Sequence, residues 1–545
     1  MTTISHVRGC DPQSMIDFAA DLTTQNDTFT GRVEQMARDV DRAMDGWKGT
    51  GASAASTRAV SERLSGNHLS TGVLSIVDRY NSYGPQLSAT RSALLTLVDH
   101  EIPKAGMTVD NAGNVTAPRV PAVAGAIDPA LASIMQRNLD GQATSLQSRL
   151  KKLLTQFGTT ETTAAQAITT AIGQLGQYEK HPDGPPISPQ VQAILDGKAQ
   201  LPTDPKQLHD LWEKLTPAEK DALYARDPFL GNRNGIPQAD RDHYNRRTLV
   251  DLRADTQRRL DELLAHKPTD KTRLDAWQKQ VDAAKHELAG YDAVAKGLQT
   301  RPGEPPRLLS LLDGRGHAAI AIRNPDTAGN VVTHVPGVEA DLSKIGDGVE
   351  RAERERRAAE LADPSKQTSA IAWYGYDSPP KLSDFVHGGY ADTAAAPLDG
   401  FQSGLRVTHE GDRSSNTVIG HSYGATAIGH AASGSHTLDA DKIVLVGSPG
   451  IDVDKPTDLH LTGVRPQDNA QHVWVTTNAH DPVKFVPNFV RGPQPWSTPG
   501  YGQQFHSDAT GFWWNRGAHS SYFDPGNSAL TNMGKIISGV GTPTR

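Results

Sequence analysis

Thr417-Val418-Ile419-Gly420-His421-Ser422-Tyr423-Gly424-Ala425-Thr426-Ala427-Ile428-Gly429 is the stretch that decides the fold. Its first three residues form a buried-strand run, and its last five a helix of small residues. Between them, Gly420-x-Ser422-x-Gly424 fits a sharp strand-to-helix turn. There a side chain at either glycine would clash, and the serine hydroxyl is thrust out at the end of the strand. In a chain with 50 glycines the bare five-residue pattern is unremarkable. The strand before it and the helix after it make Ser422 a candidate nucleophile. The competing reading is a glycine-rich turn with an incidental serine.

A serine nucleophile needs a base, and the base needs an acid to orient it, in the chain order serine, acid, histidine. Asp481 lies in Asn478-Ala479-His480-Asp481-Pro482-Val483, shortly after the strand run Val473-Trp474-Val475-Thr476, and is the favoured acid. Asp452, after Ile443-Val444-Leu445-Val446, is the alternative. His519, in a loop before a terminal helix expected from about Ser528 to Gly539, is the favoured base. His506 falls in an expected last strand, and His480 stands too close to the acid. The oxyanion hole is expected from the backbone N–H of Tyr423 plus that of Gly337 or Val338, in the loop after the third strand. Pro336 has no N–H to give.

Outward from this stretch, the chain alternates short apolar runs with helical segments. Leu308–Leu312 and His317–Ile322 flank an Asp313-Gly314 turn and read as a hairpin. Asn330–Val335 is a third strand, followed by a helix from about Ser343 to Leu361, a strand Ala370–Tyr374 and a helix over about 391–408. The pattern predicts an α/β architecture: a mostly parallel sheet covered by helices on both faces, opening with an antiparallel hairpin.

The N-terminal half reads as helical. Apolar residues recur at three- and four-residue spacing over 12–44 and again from Val60 to Val98, where Pro103 is expected to end the run. Asp45-Gly46-Trp47-Lys48-Gly49 between them predicts the joint of an antiparallel helical hairpin. Residues 107–116 read as a short β-hairpin, Pro118 and Pro121 as linker, and 128–180 as helix. His181–Pro186 is a second break. Thr216-Pro217-Ala218-Glu219 is a helix start with Thr as N-cap and Glu at the third position. A charged amphipathic helix is expected to run from there to about Leu298, most simply as a solvated face. The expected division is 1–105 helical hairpin, 106–204 linker and helical region, 205–300 helical upstream or cap segment, and 301–545 the domain bearing Ser422.

Composition bounds the rest. A chain of 545 residues exceeds the roughly 250–300 that one core supports. A net charge of −7 argues against a nucleic-acid partner. The one cysteine, Cys10, cannot form an intrachain disulfide, and its place near an expectedly loose terminus gives no reason to assign it chemistry. There is no HExxH, no Cys/His ligand run and no glycine-rich phosphate loop, so no metal or nucleotide cofactor is expected. Neither a secretory signal nor a run of 18 apolar residues occurs, so the expectation is a cytoplasmic protein with no transmembrane segment unless a type VII-like route exports it.

Two resemblances refine these readings. WYGYDSP (373–379), GHSYG (420–424), the Asp481-Pro482 loop and HSSYFDP (519–525) together resemble an actinobacterial α/β-hydrolase family of uncharacterised function, whose upstream portion LTPAE and GNRNGIP also resemble. The resemblance covers about 205–540. It implies an α/β-hydrolase fold and a Ser422, Asp481, His519 triad. The expected activity is esterase- or lipase-like hydrolysis of a small-molecule or lipid ester. Trp47-Lys48-Gly49 between two helices resembles the WXG-type hairpins of type VII secretion substrates, which implies pairing with a WXG-type helical partner and a hydrolase carried as exported payload. That family's Tyr-then-acid export spacing is absent: Tyr80 is followed by Gly84, and Tyr83 by Leu87.

Overall fold

Alternation along the strands sets the layers. In Ser415–His421, Val418 packs into one apolar cluster and its neighbour Ile419 into another, because successive side chains leave a strand on opposite faces. Ile371 and Ala372 divide the same way. Both clusters are built from buried residues, so this sheet is covered on both sides. The computed structural model describes residues 2–46, 50–120, 129–180, 187–300, 304–386, 389–509 and 517–545. They form two compact units, Met1–Thr23 with Ser75–Gly176, and Thr24–Leu74 with Gln177–Arg545.

The larger unit holds an eight-stranded sheet. In chain order its strands are β1 (Arg307–Leu312), β2 (Ala318–Ile322), β3 (Asn330–Val335), β4 (Thr368–Tyr374), β5 (Ser415–His421), β6 (Lys442–Val446), β7 (Val473–Thr476) and β8 (Gln503–Gln504). Across the sheet they run β8-β7-β6-β5-β3-β4-β2-β1. From β8 to β4 every pairing is parallel, while β2 is antiparallel to both β4 and β1. One face is covered by the helices Gly389–Thr408 and Tyr423–Ala431, through Leu398, Phe401, Ala427 and Ile428. The other is covered by Lys271–Gly297, Ile345–Ala362 and Ser528–Ser538, through Val294, Val349, Ala352, Met533 and Ile537. The strand order reverses beside β5, and an open parallel sheet places its ligand crevice at such a point, at the carboxyl ends of the strands. Ser422 follows the carboxyl end of β5 directly.

Leu230–Asn232 and the helix Gln238–Ala265 lie along the β1 edge. The Asn232 side chain accepts from the Leu312 N–H at 2.8 Å and donates to the Leu312 carbonyl. From the helix Gln238–Ala265, Asp242 accepts from the Leu309 N–H at 2.6 Å, and Asn245 donates to the Leu309 carbonyl at 3.2 Å. An edge strand offers unpaired backbone groups, and these side chains occupy them. The capping box at Thr216 and Glu219 forms as expected, with the Thr216 N–H donating to Glu219 at 2.9 Å. The charged helix expected to run from Thr216 to about Leu298 is instead three, Pro217–Arg226, Gln238–Ala265 and Lys271–Gly297, and the last two part at His266–Asp270. Pro268 removes a backbone donor between these two, and Asp270 caps the last by accepting from the Thr272 N–H at 2.9 Å.

Helices Gln13–Gly46 and Thr50–Thr96 flank the expected joint; Trp47-Lys48-Gly49 lies outside the described residues, as does His181–Pro186. In the smaller unit Gly84 packs on Met15 and Ile16; in the larger one Gly66 packs on Val33, and the Thr30 and Ser70 hydroxyls are 3.1 Å apart. Partners therefore fall in sequence on one helix as they rise on the other, which is antiparallel pairing. Thr71 bonds His243 at 3.3 Å, so the second helix also meets the chain's own helix Gln238–Ala265. Pro103 does not end the run: a π-turn, Leu97–Glu101, leads into a last helical turn, Ile102–Lys104, that contains it. Nor is the N-terminus loose. Ile4–Gly9 is a helix capped by the Thr3 hydroxyl, and its Ile4 and Val7 are buried with Leu94, Leu150 and Phe157. Thr108–Val109 and Val115–Thr116 pair as the expected small hairpin. Among the described residues, no helix is long and apolar enough to cross a membrane.

Candidate active site

The turn after β5 is as tight as its glycines imply. A Cβ at Gly420 would stand 2.6 Å from the Ala425 nitrogen, and one at Gly424 would stand 2.2 Å from the Val335 carbonyl oxygen. Ser422 itself takes φ 56° and ψ −125°, a region that costs a residue with a side chain on the order of 1–3 kcal/mol. Its N–H donates to the Val446 carbonyl at 2.9 Å, tying the strained residue to β6. Ser422 is 7% exposed, on the wall of a cavity of about 340 Å³.

His519 lines the same cavity. Its Nδ1 donates to the Asp481 carboxylate at 2.8 and 2.9 Å. Asp481 follows β7, is fully buried, and also accepts from the Val483 N–H at 2.8 Å and from the Tyr522 hydroxyl. Tyr522 is held in turn by the Asn478 N–H at 2.8 Å. Burial and the Asp481 charge push the Tyr522 phenol far above its ordinary value, so it keeps its proton and donates. A carboxylate with three such donors stays fixed, and it fixes the imidazole tautomer that leaves Nε2 free to accept. The Asp481–His519 pair thus sits beside the cavity that holds Ser422.

Gly337, Val338 and Tyr423 also line the cavity. A Cβ at Gly337 would lie 2.8 Å from the Ser422 Cβ and 2.9 Å from the His421 carbonyl oxygen, so only glycine lets the loop after β3 come this near. Tyr423 opens the helix Tyr423–Ala431, whose first N–H groups and dipole favour negative charge. The other candidates are engaged elsewhere. Asp452 is engaged by His430 at 2.9 Å and Arg491 at 2.8 Å. His506 lies beyond β8, which ends at Gln504, and pairs with Asp508 at 3.3 Å. The expected strand stops short because the His506 N–H turns to the Thr544 carbonyl. His480 donates its N–H to Asn478 within the acid's loop.

Sequence reasoning missed two residues here. His421 donates from Nε2 to the His519 carbonyl at 2.6 Å and accepts at Nδ1 from Arg351 at 3.3 Å. Burial, with His519 and Arg351 beside it, holds His421 well below the ordinary imidazole value, so it is neutral and joins the Ser422 turn to the His519 loop. It occupies a variable position of the five-residue pattern, which carries no signal. Tyr522, the support of Asp481, was visible only as part of the HSSYFDP stretch. The cavity is apolar at Val338, Phe385, Val483 and Val486 and charged at Lys344, Asp347 and Arg351.

A family model described as Alpha/beta hydrolase matches residues 313–491, which include Ser422 and Asp481. Uncharacterized protein Rv2079 of Mycobacterium tuberculosis is 29% identical over 408 residues, 65% of this chain and 59% of that protein. The chain thus spans about three fifths of the length of this relative. Uncharacterized protein Rv0963c of the same species, and Uncharacterized protein Mb0988c of Mycobacterium bovis, are each 31% identical over 242 residues, 42% of this chain and 85% of theirs. No solved structure matches. The chain thus belongs to one family with Rv0963c and Mb0988c, and the family match, the sheet order and the turn at Ser422 agree that it carries an alpha/beta hydrolase domain.

Proposed function

We propose that the protein is a serine hydrolase that cleaves carboxylic esters through Ser422, His519 and Asp481. The observation that carries the reading is the placement of His519, held at Nδ1 by a buried carboxylate while its ring borders the cavity of Ser422. In this reading His519 Nε2 takes the Ser422 hydroxyl proton as Oγ attacks the ester carbonyl carbon. The carbonyl oxygen gains the electron pair and is met by the N–H of Tyr423 and that of Gly337 or Val338. Collapse expels the alcohol, which leaves with the proton from His519, and an acyl-Ser422 remains. His519 then takes a proton from water, the hydroxide attacks the acyl carbon, and the acid departs as the proton returns to Ser422. Asp481 stays ionised and stabilises the imidazolium.

The cavity of about 340 Å³ lies at the small end for an organic ligand, and its wall of Val338, Phe385, Val483 and Val486 suits a short acyl chain. The test is hydrolysis of nitrophenyl acetate, butyrate and palmitate by the purified chain and by Ser422→Ala. The expected result is turnover of the short esters, with the variant slower by at least about 10³-fold. Equal turnover by the variant would overturn the reading.

A further inference from the structure

His6 lies in the helix Ile4–Gly9, and Cys10, the extended residue that caps it four positions later, turns its sulfur to the same face, 3.7 Å from His6 Nε2. The Cys10 N–H donates to the His6 carbonyl at 3.1 Å, which keeps the last turn closed. That face meets Glu161, from the helix Pro129–Lys180. His6 Nε2 stands 2.9 Å from the Glu161 carboxylate and 3.7 Å from Cys10 Sγ, and Cys10 Sγ stands 3.8 Å from Glu161 Oε1. We infer that His6, Cys10 and Glu161 are three ligands of a divalent metal of the zinc class, with the fourth position left to water.

The separations carry the argument. Zinc bound tetrahedrally at its usual bond lengths sets sulfur about 3.5 Å from nitrogen or oxygen, and nitrogen about 3.3 Å from oxygen. The three donors already stand within a few tenths of an ångström of those edges. An imidazole, a thiolate and a carboxylate suit zinc, whereas calcium and magnesium prefer oxygen alone. Among the described residues, this is the one group of His, Cys, Asp and Glu donors whose ligand atoms converge within 4.8 Å.

The setting is built rather than loose. The His6 ring meets Phe157 edge-on at 6.4 Å, and Val7, Leu150, Leu154 and Phe157 form the core beneath. Gly158, one turn before Glu161, lets the chain ride directly on that helix, since a Cβ there would lie 2.1 Å from the Thr2 hydroxyl. The nearby Arg91 spends its guanidinium on the Val7 and Arg8 carbonyls. A metal here would fasten the first ten residues to the helix Pro129–Lys180. The competing reading is a plain His6–Glu161 ion pair beside a bystander thiol.

Cobalt separates the two. Cys10 is the sole cysteine, so a thiolate-to-cobalt charge-transfer band reports this residue alone. The untagged full chain, stripped of metal and kept reduced with a phosphine, is titrated with Co²⁺ and then Zn²⁺. One equivalent of cobalt should raise the band together with the intense visible absorption of a tetrahedral ion, and zinc should bleach both. Cys10→Ser should abolish the band, and Glu161→Gln and His6→Ala should each weaken cobalt binding by at least about tenfold with helix content unchanged. The near-isosteric Glu161→Gln guards against a variant that merely misfolds. Absence of the band at one equivalent, or binding untouched by both Glu161→Gln and His6→Ala, would overturn the site.

Discussion

Ser422 holds a backbone conformation that glycine adopts freely and serine does not, and its surroundings leave it no choice. The N–H is fixed to Val446, glycines stand on both sides, and Gly337 presses against its Cβ. The last contact is the one to test. Gly337→Ala would insert a methyl 2.8 Å from the Ser422 Cβ and 3.2 Å from its Oγ, so the loop after β3 must retreat and carry its N–H away. Expected is a fall in kcat for ester hydrolysis of about 10²–10³-fold, the cost of one oxyanion donor, with an unchanged unfolding midpoint. The glycines at this scale were readable from sequence, because a close approach admits no other residue. His421 was not. Its bonds to His519 and Arg351 join β5 to a loop 98 residues on and to a separate helix, and no spacing rule spans that distance.

At the scale of elements, the reading held where the signal is local. Thr216 and Glu219 announce their helix within four residues, and Asn330–Val335 is an apolar run bounded by turns. It failed at His266–Asp270, where charge periodicity continues across a proline that breaks the helix. The short β8 ends before His506 for a tertiary reason, a backbone bond to the C-terminal tail. Equally hidden was the job of Asn232, Asp242 and Asn245 at the β1 edge. Asn232 satisfies both the N–H and the carbonyl of Leu312 on the outer edge of β1, which a polar residue in a short turn gives no hint of. Asn232→Ala would leave that edge unpaired and should cost about 1–3 kcal/mol in urea unfolding. Ester turnover measured in native conditions should be retained.

Across the whole molecule, buried ionisable groups set the response to acid. Burial lowers His243 from 6.5 to about 3. Below pH 6.5 the unfolded chain takes up a proton that the folded chain refuses, so stability present above that pH is lost as it falls, at about 1.4 kcal/mol per unit. His421 adds a loss of the same sign. Asp221, which burial raises to about 6, opposes them: the fold keeps a proton that the unfolded chain releases above 3.8, so stability rises as pH falls through that window. In urea unfolding compared at pH 7.5 and 5.5, His243→Gln should lose about 1.4 kcal/mol less than the native chain across the interval. None of these burials was legible in the sequence, nor was the meeting of Glu161 with Cys10, 151 residues earlier. The places of Ser422 and Asp481, each shortly after a strand, were legible, since local strand runs survive without any knowledge of packing.

The proposed trio of Ser422, Asp481 and His519 is tested most directly by covalent capture. The purified chain is treated with a fluorophosphonate and digested, and the modified peptide is sequenced by mass spectrometry. One adduct per chain, on Ser422, lost in Ser422→Ala and strongly slowed in His519→Ala, is the predicted result. Labelling at full rate in Ser422→Ala, or no adduct on the native chain, would contradict the account.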